Sequence, residues 1–215
     1  MSSNTDRVTL IQAIKQSSLE DLSSSVQPMD LFQQWLDEAV ASGQPEPNSM
    51  VLSTVDSKGN PSSRVVLLKK IGSEGIYFFT NYTSRKAHEL SVNPRVAVNI
   101  HWPELERQIR IEGLTVKAEP EVSDDYYESR QRGSRIGAWA SPQSKMIPDR
   151  AFLEHRVKEM EDRFTAETLK RPDFWGGYFI QPSRIEFWKG RENRLHDRIE
   201  FYLSAGIWKN RRLAP

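Results

Sequence analysis

Met50-Val51-Leu52-Ser53-Thr54-Val55, Asp56-Ser57-Lys58-Gly59-Asn60, Arg64-Val65-Val66-Leu67-Leu68-Lys69-Lys70, Gly72-Ser73-Glu74-Gly75 and Ile76-Tyr77-Phe78-Phe79-Thr80 follow one another with little between them. The first, third and fifth are short apolar runs rich in β-branched or aromatic residues; the second and fourth are built of turn formers. Three strands joined by such short turns read as an antiparallel meander, since a parallel pair needs a crossover of a dozen residues or more.

Further strands are expected at residues 95–101 and 108–118, split by Trp102-Pro103-Glu104, and at 177–188 and 195–203. A helix opens near Pro28 and Met29, carries Leu31, Phe32, Trp35, Leu36, Ala39 and Val40 at helical spacing, and stops at Gly43 and Pro45. Shorter helices fit residues 84–90 and 123–130. Pro148 and Asp149 open a longer one with Leu153, Val157, Met160 and Phe164 on one face, broken at Arg171-Pro172. Trp208 leads into the tail Arg211-Arg212-Leu213-Ala214-Pro215. Residues 1–27, with the run Ser23-Ser24-Ser25, read as a flexible arm with one helical turn near residues 10–14, and residues 28–215 as a single domain. Six to eight antiparallel strands with helices outside describe a mainly β, α+β chain, for which a closed or split barrel removes exposed edges. A doubly wound sheet would need regular strand–helix alternation.

The 215 residues carry 30 Lys and Arg against 29 Asp and Glu, a net charge of +1, so a broad nucleic-acid-binding face is not implied and any basic site is local. The absence of cysteine excludes disulfides, thiolate zinc sites and thiol nucleophiles. No apolar run approaches the roughly 20 residues of a membrane span, and the polar start lacks a signal-peptide core, so the expected location is the cytoplasm. The four histidines, His88, His101, His155 and His196, lack metal-ligand spacing, and no metal is expected. No Gly-x-Gly-x-x-Gly, Walker loop or Gly-x-Ser-x-Gly occurs.

Several stretches could carry chemistry. In Phe187-Trp188-Lys189-Gly190-Arg191-Glu192-Asn193-Arg194-Leu195-His196-Asp197-Arg198, alternation would set Arg194, His196 and Arg198 on one face, suited to an anion or an anionic ring. The same pattern also suits a charged edge strand. Arg64 and Lys69 bracket an apolar strand; alternation puts them on opposite faces, so both reach one ligand only through a bulge, a strand end or a large ligand. Thr80-Asn81-Tyr82-Thr83-Ser84-Arg85-Lys86 leads into a helix N-terminus, a phosphate-attracting feature as well as an ordinary cap. Tyr126 and Arg130 share a helix face, with Ser134 following in a loop: a phosphate clamp or a solvated basic loop. Gln143 and Ser144 could bond a phosphate or a heteroaromatic edge. Many cations without a nucleophile or metal point to a bound organic cofactor.

These stretches together resemble the pyridoxine/pyridoxamine 5′-phosphate oxidase family. The resemblance rests on Arg64-Val65-Val66-Leu67-Leu68-Lys69, Phe79-Thr80-Asn81, Ser84-Arg85-Lys86, Leu105-Glu106-Arg107-Gln108, Ser129-Arg130 with Ser134, Ile136-Gly137-Ala138-Trp139, Gln143-Ser144, Phe174-Trp175-Gly176-Gly177, Ile185-Glu186-Phe187-Trp188, Arg194 to Arg198 and Arg212-Leu213-Ala214-Pro215, in order from about Pro28 to the end. It implies a Greek-key-like split β-barrel and a homodimer with FMN at the interface. It implies FMN contacts from Arg64, Val65, Val66, Leu67, Leu68, Lys69, Phe79, Thr80, Arg85, Lys86, Gln108, Gln143, Ser144, Trp188 and Arg198. Substrate would meet Lys69, Tyr126, Arg130, Ser134, Arg194, Leu195 and His196, with Arg194 and His196 catalytic against the pyridine ring. The implied reaction takes pyridoxamine or pyridoxine 5′-phosphate to pyridoxal 5′-phosphate, with O2 reduced to H2O2. Ile11 and Ile14 stand where family members often carry an Arg and a Tyr over the substrate, so a looser lid is expected. A sister oxidase of the phenazine-biosynthesis type, or a non-catalytic flavin- or pyridoxal-phosphate-binding barrel, are the competing readings.

Overall fold

The segment from Pro61 to Gly72 supplies both edges of one sheet. In the computed structural model, which describes residues 4–17, 19, 26–166 and 168–215, it forms β2 (Pro61–Leu67) and β3 (Lys70–Gly72). The other strands are β1 (Ser49–Val55), β4 (Gly75–Asn81), β5 (Arg95–Trp102), β6 (Arg107–Lys117), β7 (Trp175–Lys189), β8 (Asp197–Ser204) and β9 (Ile207–Arg212). The order is β2-β1-β5-β6-β7-β4-β3, with β8 on β7 and β9 on β8, and every pair is antiparallel. Because β2 and β3 are the two ends of that path yet adjoin in sequence, the sheet curls into a barrel that is split at Leu68 and Lys69. The run expected as one strand over 64–70 is therefore broken in two. Lys69 N–H donates to Tyr77 O at 2.9 Å, and Leu68 turns inward at 3% exposure.

The long β7 serves two neighbourhoods. Its first half pairs with β4 and its second half with β8, while β6 runs along both. A register shift between Glu112 and Gly113 lets β6 follow the bend. A Cβ at Gly113 would lie 2.3 Å from Gln181 O, so only glycine fits. The hairpin at residues 56–60 is fixed by Asp56, whose carboxylate accepts from the Lys58 and Asn60 N–H groups at 2.8 and 2.9 Å.

Helices α1 (Asn4–Gln16), α2 (Pro28–Ala41), α3 (Arg85–Val92), α4 (Pro120–Ser129), α5 (Arg132–Ala140) and α6 (Arg150–Ala166) lie around the barrel. α2 buries Phe32 and Trp35 in the core, where Trp35 meets Phe187 edge to face at 5.1 Å. The N-terminal segment differs from the single turn expected of it. α1 has 13 residues, Ile14 and Leu19 join the core at 5% and 4% exposure, and Ile11 packs against it. The buried Lys189 of β7 fastens its C-terminus, donating to Ile14 O at 2.7 Å, to Ser17 Oγ at 2.9 Å and to Ser17 O. The serine run 23–25 lies outside the described residues. α5 and β9 were not expected: the first contains Gly133 and Gly137 and was read as a loop, the second as tail. No described helix is long and apolar enough to cross a membrane.

Candidate functional site

The split in the barrel opens into a cavity of about 500 Å³. β2 contributes Arg64, Val65, Val66 and Leu67, and the break after it contributes Lys69. β4 contributes Phe79 and Thr80, α3 contributes Lys86, and Tyr126, Arg130, Gln131 and Ser134 come from α4 and the start of α5. Gln143 and Trp175 complete the wall. The alternation problem is solved by a strand end: β2 stops at Leu67, so Lys69 is free of its pleat and shares the cavity with Arg64. Ser134 stands in the first turn of α5, where its N–H donates to Gln131 O at 2.9 Å, and not in a loop.

One end of the cavity is aromatic and cationic. Phe79 stacks on Tyr126 at 4.0 Å and lies nearly parallel to Trp175 at 5.8 Å. The Arg130 guanidinium sits over Trp175 at 4.5 Å, and Lys69 Nζ lies 5.7 Å from the Tyr126 ring. Arg130 Nη1 is buried with no hydrogen-bond partner among the described residues. Burial lowers its pKa, although Tyr126 and Tyr127 pull the other way. A desolvated guanidinium with an unanswered N–H, beside a tyrosine and a serine hydroxyl, is a ready phosphate partner.

At the other end Lys86, 9% exposed, donates to Gln143 Oε1 at 2.8 Å and Thr80 Oγ1 at 3.1 Å, both neutral acceptors. Burial, and then the positive charge of Arg64, lower its pKa to about 8, while Glu89 opposes them. An anion placed here would meet the positive charges of Lys86 and Arg64 together.

The remaining expected residues fall in other places. Leu68 is in the core; Arg85 is largely exposed and bonds Glu89 Oε1 at 2.8 Å; Ser144 is exposed with φ 68°. Gln108, Trp188 and Arg198 form one row across β6, β7 and β8, each directly opposite the next. His196 packs on Trp188 at 4.6 Å, and its Nδ1 accepts the Arg191 N–H at 3.2 Å. Arg198 is held by Glu186 at 2.8 Å and donates to Ala214 O at 2.8 Å. Arg194 and Leu195 are exposed. The single extended face expected for Arg194, His196 and Arg198 does not form. Asn193 and Arg194 adopt φ of 55° and 61° in a 3-10 turn, Glu192–Arg194, and β8 starts only at Asp197. None of this second group lines the cavity within one chain.

Trp175, Gln131 and, behind the wall, Glu89 had no assigned role from sequence. Trp175 stands in the quoted Phe174-Trp175-Gly176-Gly177 stretch, and the glycines were its signal. A Cβ at Gly177 would meet the Phe79 ring at 2.8 Å, so that glycine lets the aromatic wall close.

Residues 36–164 match the family model described as pyridoxamine 5′-phosphate oxidase, and residues 175–215 match the C-terminal dimerisation region of pyridoxine 5′-phosphate oxidase. The chain is 53% identical over 188 residues to a pyridoxine/pyridoxamine 5′-phosphate oxidase of Polynucleobacter asymbioticus, covering 87% of this chain and 89% of that one. It is 45% identical over 210 residues to the protein of the same name from Rubrobacter xylanophilus, covering 98% and 97%. Among solved structures it is similar to PhzG of Burkholderia lata in complex with tetrahydrophenazine-1-carboxylic acid, with TM-score 0.85, 32% identity and coverage of 91% and 95%. A pyridoxamine 5′-phosphate oxidase-related, FMN-binding protein of Nostoc punctiforme shares the fold at TM-score 0.71 and 14% identity, covering 90% and 100%.

Proposed function

Because the chain belongs to the pyridoxamine 5′-phosphate oxidase family, we propose that its cavity holds FMN and a phosphorylated pyridine face to face. The enzyme oxidises pyridoxamine or pyridoxine 5′-phosphate to pyridoxal 5′-phosphate. The observation that carries the ligand reading is that the cavity gathers two cationic groups, Arg130 with Lys69 against the stacked rings of Phe79, Tyr126 and Trp175, and Lys86 with Arg64. The donor set fits two anionic groups. Lys69, Tyr126, Arg130 and Ser134 hold the substrate phosphate, and the buried, unpaired Arg130 Nη1 supports this. Arg64, Lys86, Thr80 and Gln143 hold the cofactor end, with the backbone and side chains of Val65, Val66 and Leu67 along it.

When bound, flavin supplies a hydride acceptor that O2 reoxidises, giving H2O2. The residues of the chain supply position. Phosphate binding energy fixes the ring that reacts, and the aromatic wall excludes water. The Gln108, Trp188 and Arg198 row, with Arg194, Leu195 and His196, completes the site from a second copy of the chain; the dimerisation match over residues 175–215, which spans most of that group, supports this. The guanidinium of Arg194 has an electrostatic and orienting role, with His196 beside it against the pyridine ring.

The test is direct. The purified protein should be yellow or take up added FMN, and pyridoxamine 5′-phosphate in air should yield aldehyde and peroxide. A colourless protein that ignores FMN would overturn the cofactor reading. Faster turnover of a reduced phenazine precursor than of either vitamer would favour the sister oxidase instead.

A further inference from the structure

Glu89 is a carboxylate at 3% exposure that does not line the cavity and yet pairs with Arg64, which does, and with the exposed Arg85 beside it. Its Oε2 accepts from the hydroxyls of Thr54 and Ser62, the latter at 2.7 Å, and from Arg64 Nη2 at 3.1 Å. Its Oε1 accepts from Arg85 Nε at 2.8 Å. Arg64 in turn donates to the same two hydroxyls. One carboxylate thus ties β1, β2 and the first turns of α3 into a single hydrogen-bonded unit. Burial pushes the Glu89 pKa up, but the two hydroxyls and the two guanidinium groups outweigh it and hold the group at about 2.

Charge counting shows what this unit suits. Arg64 and Lys86 line the cavity while Arg85 bonds Glu89 outside it; these three positive charges against the single charge of Glu89 leave a local +2 beside one end of the cavity. A phosphate monoester carries close to −2 at neutral pH. Without the carboxylate, two long arginines would lose their common anchor, and ordering each again costs rotamer entropy. Lys86 would also lose a negative charge that favours its charged form.

We propose that Glu89 is a positioning residue for the phosphate of the bound flavin nucleotide: it holds Arg64 and Arg85 in place from behind, and so sets the preference of the cavity for the phosphorylated over the dephosphorylated flavin. This rests on the cofactor reading above. Glu89 contacts neither ligand.

The experiment titrates flavin-free, full-length protein with FMN and with riboflavin, following flavin fluorescence. Wild type should bind FMN at least ~100-fold more tightly than riboflavin, as two or more charge-assisted phosphate contacts require. Glu89→Gln should weaken FMN roughly 10-fold and riboflavin less than about 2-fold. Ser62→Ala, which removes one hydroxyl shared by Glu89 and Arg64, should shift the ratio in the same direction by roughly 3-fold, and it decides the matter if Glu89→Gln fails to fold. Equal loss of both flavins in these variants, or an unchanged FMN to riboflavin ratio, overturns the role given to Glu89. A wild-type protein with no preference for FMN instead overturns the placement of the cofactor phosphate itself.

Discussion

Replacing Lys189 by Met removes the fastening of α1 while keeping an apolar stem of similar length. Its ammonium donates to Ile14 O, Ser17 Oγ and Ser17 O at the C-terminal end of the helix, where the last carbonyls have no i+4 N–H to accept from. Two well-formed charge-assisted bonds contribute about 5 kcal/mol together. Against this stands the cost of burying the charge. Desolvation, and then Arg107 and Arg191 nearby, bring the Lys189 pKa from 10.5 to about 8, a penalty of about 3 kcal/mol. The net worth is about 2 kcal/mol, so Lys189→Met should raise the opening of residues 4–17 roughly 30-fold, read as faster amide hydrogen exchange. The pH dependence follows with a definite sign. The free lysine keeps its proton to 10.5 and the docked one releases it near 8, so stability rises with pH across that window, by up to about 3 kcal/mol. Lys86 adds a contribution of the same sign, so the difference between wild type and variant isolates Lys189. Unchanged or slower exchange over residues 4–17 in the variant would refute the reasoning.

Arg130→Met should lower kcat/KM for pyridoxamine 5′-phosphate roughly 10- to 150-fold, the worth of one charge-assisted phosphate contact, and barely alter the slow turnover of unphosphorylated pyridoxamine. Equal losses on both substrates would remove Arg130 from the phosphate clamp. Gly113→Ala forces a Cβ against Gln181 O at the register shift and should cost about 3 kcal/mol, or roughly 10 °C in Tm by calorimetry. Gly133→Ala, in α5 with open space around it, should instead stabilise by about 0.5–1 kcal/mol. The Glu89 carboxyl protonates near 4.5 when unfolded and near 2 when folded, so its contribution of about 3 kcal/mol is intact above pH 4.5 and is lost as the pH falls toward 2. Urea midpoints across that range check it: Asp56 and Asp197, whose pKa values are also lowered, make both proteins lose stability in acid, so the difference between wild type and Glu89→Gln isolates Glu89.

The meander was legible because its turns carry their own instructions: Asp56 binds the backbone of Lys58 and Asn60 wherever the rest of the chain goes. The cationic residues of the cavity stood out by type, but spacing left each with an ordinary structural reading and only the family resemblance joined them into one site. What could not be read was the break at Leu68. Residues 64–70 look like one apolar strand, and only the curl of the whole sheet tells that Lys69 leaves one edge and enters the other. The turn at Glu192–Arg194 was hidden for a local reason: Asn193 and Arg194 take left-handed dihedrals that glycine would have advertised. α5 was hidden because two glycines interrupt it and its stability comes from packing Ile136 beside Phe164. Glu89 lay in a helix pattern that gave no reason to single out one acid.

The split at Leu68–Lys69 also fixes when the proposed flavin pocket can first close. Strand β4 has one neighbour in the sheet besides the tiny β3, and that neighbour begins at Trp175. During synthesis, Phe79 and Thr80 therefore wait for nearly a hundred further residues before the hoop around them can be clasped. Ribosome-bound chains that end before Trp175 should stay colourless in the presence of flavin, and full-length released chains should not.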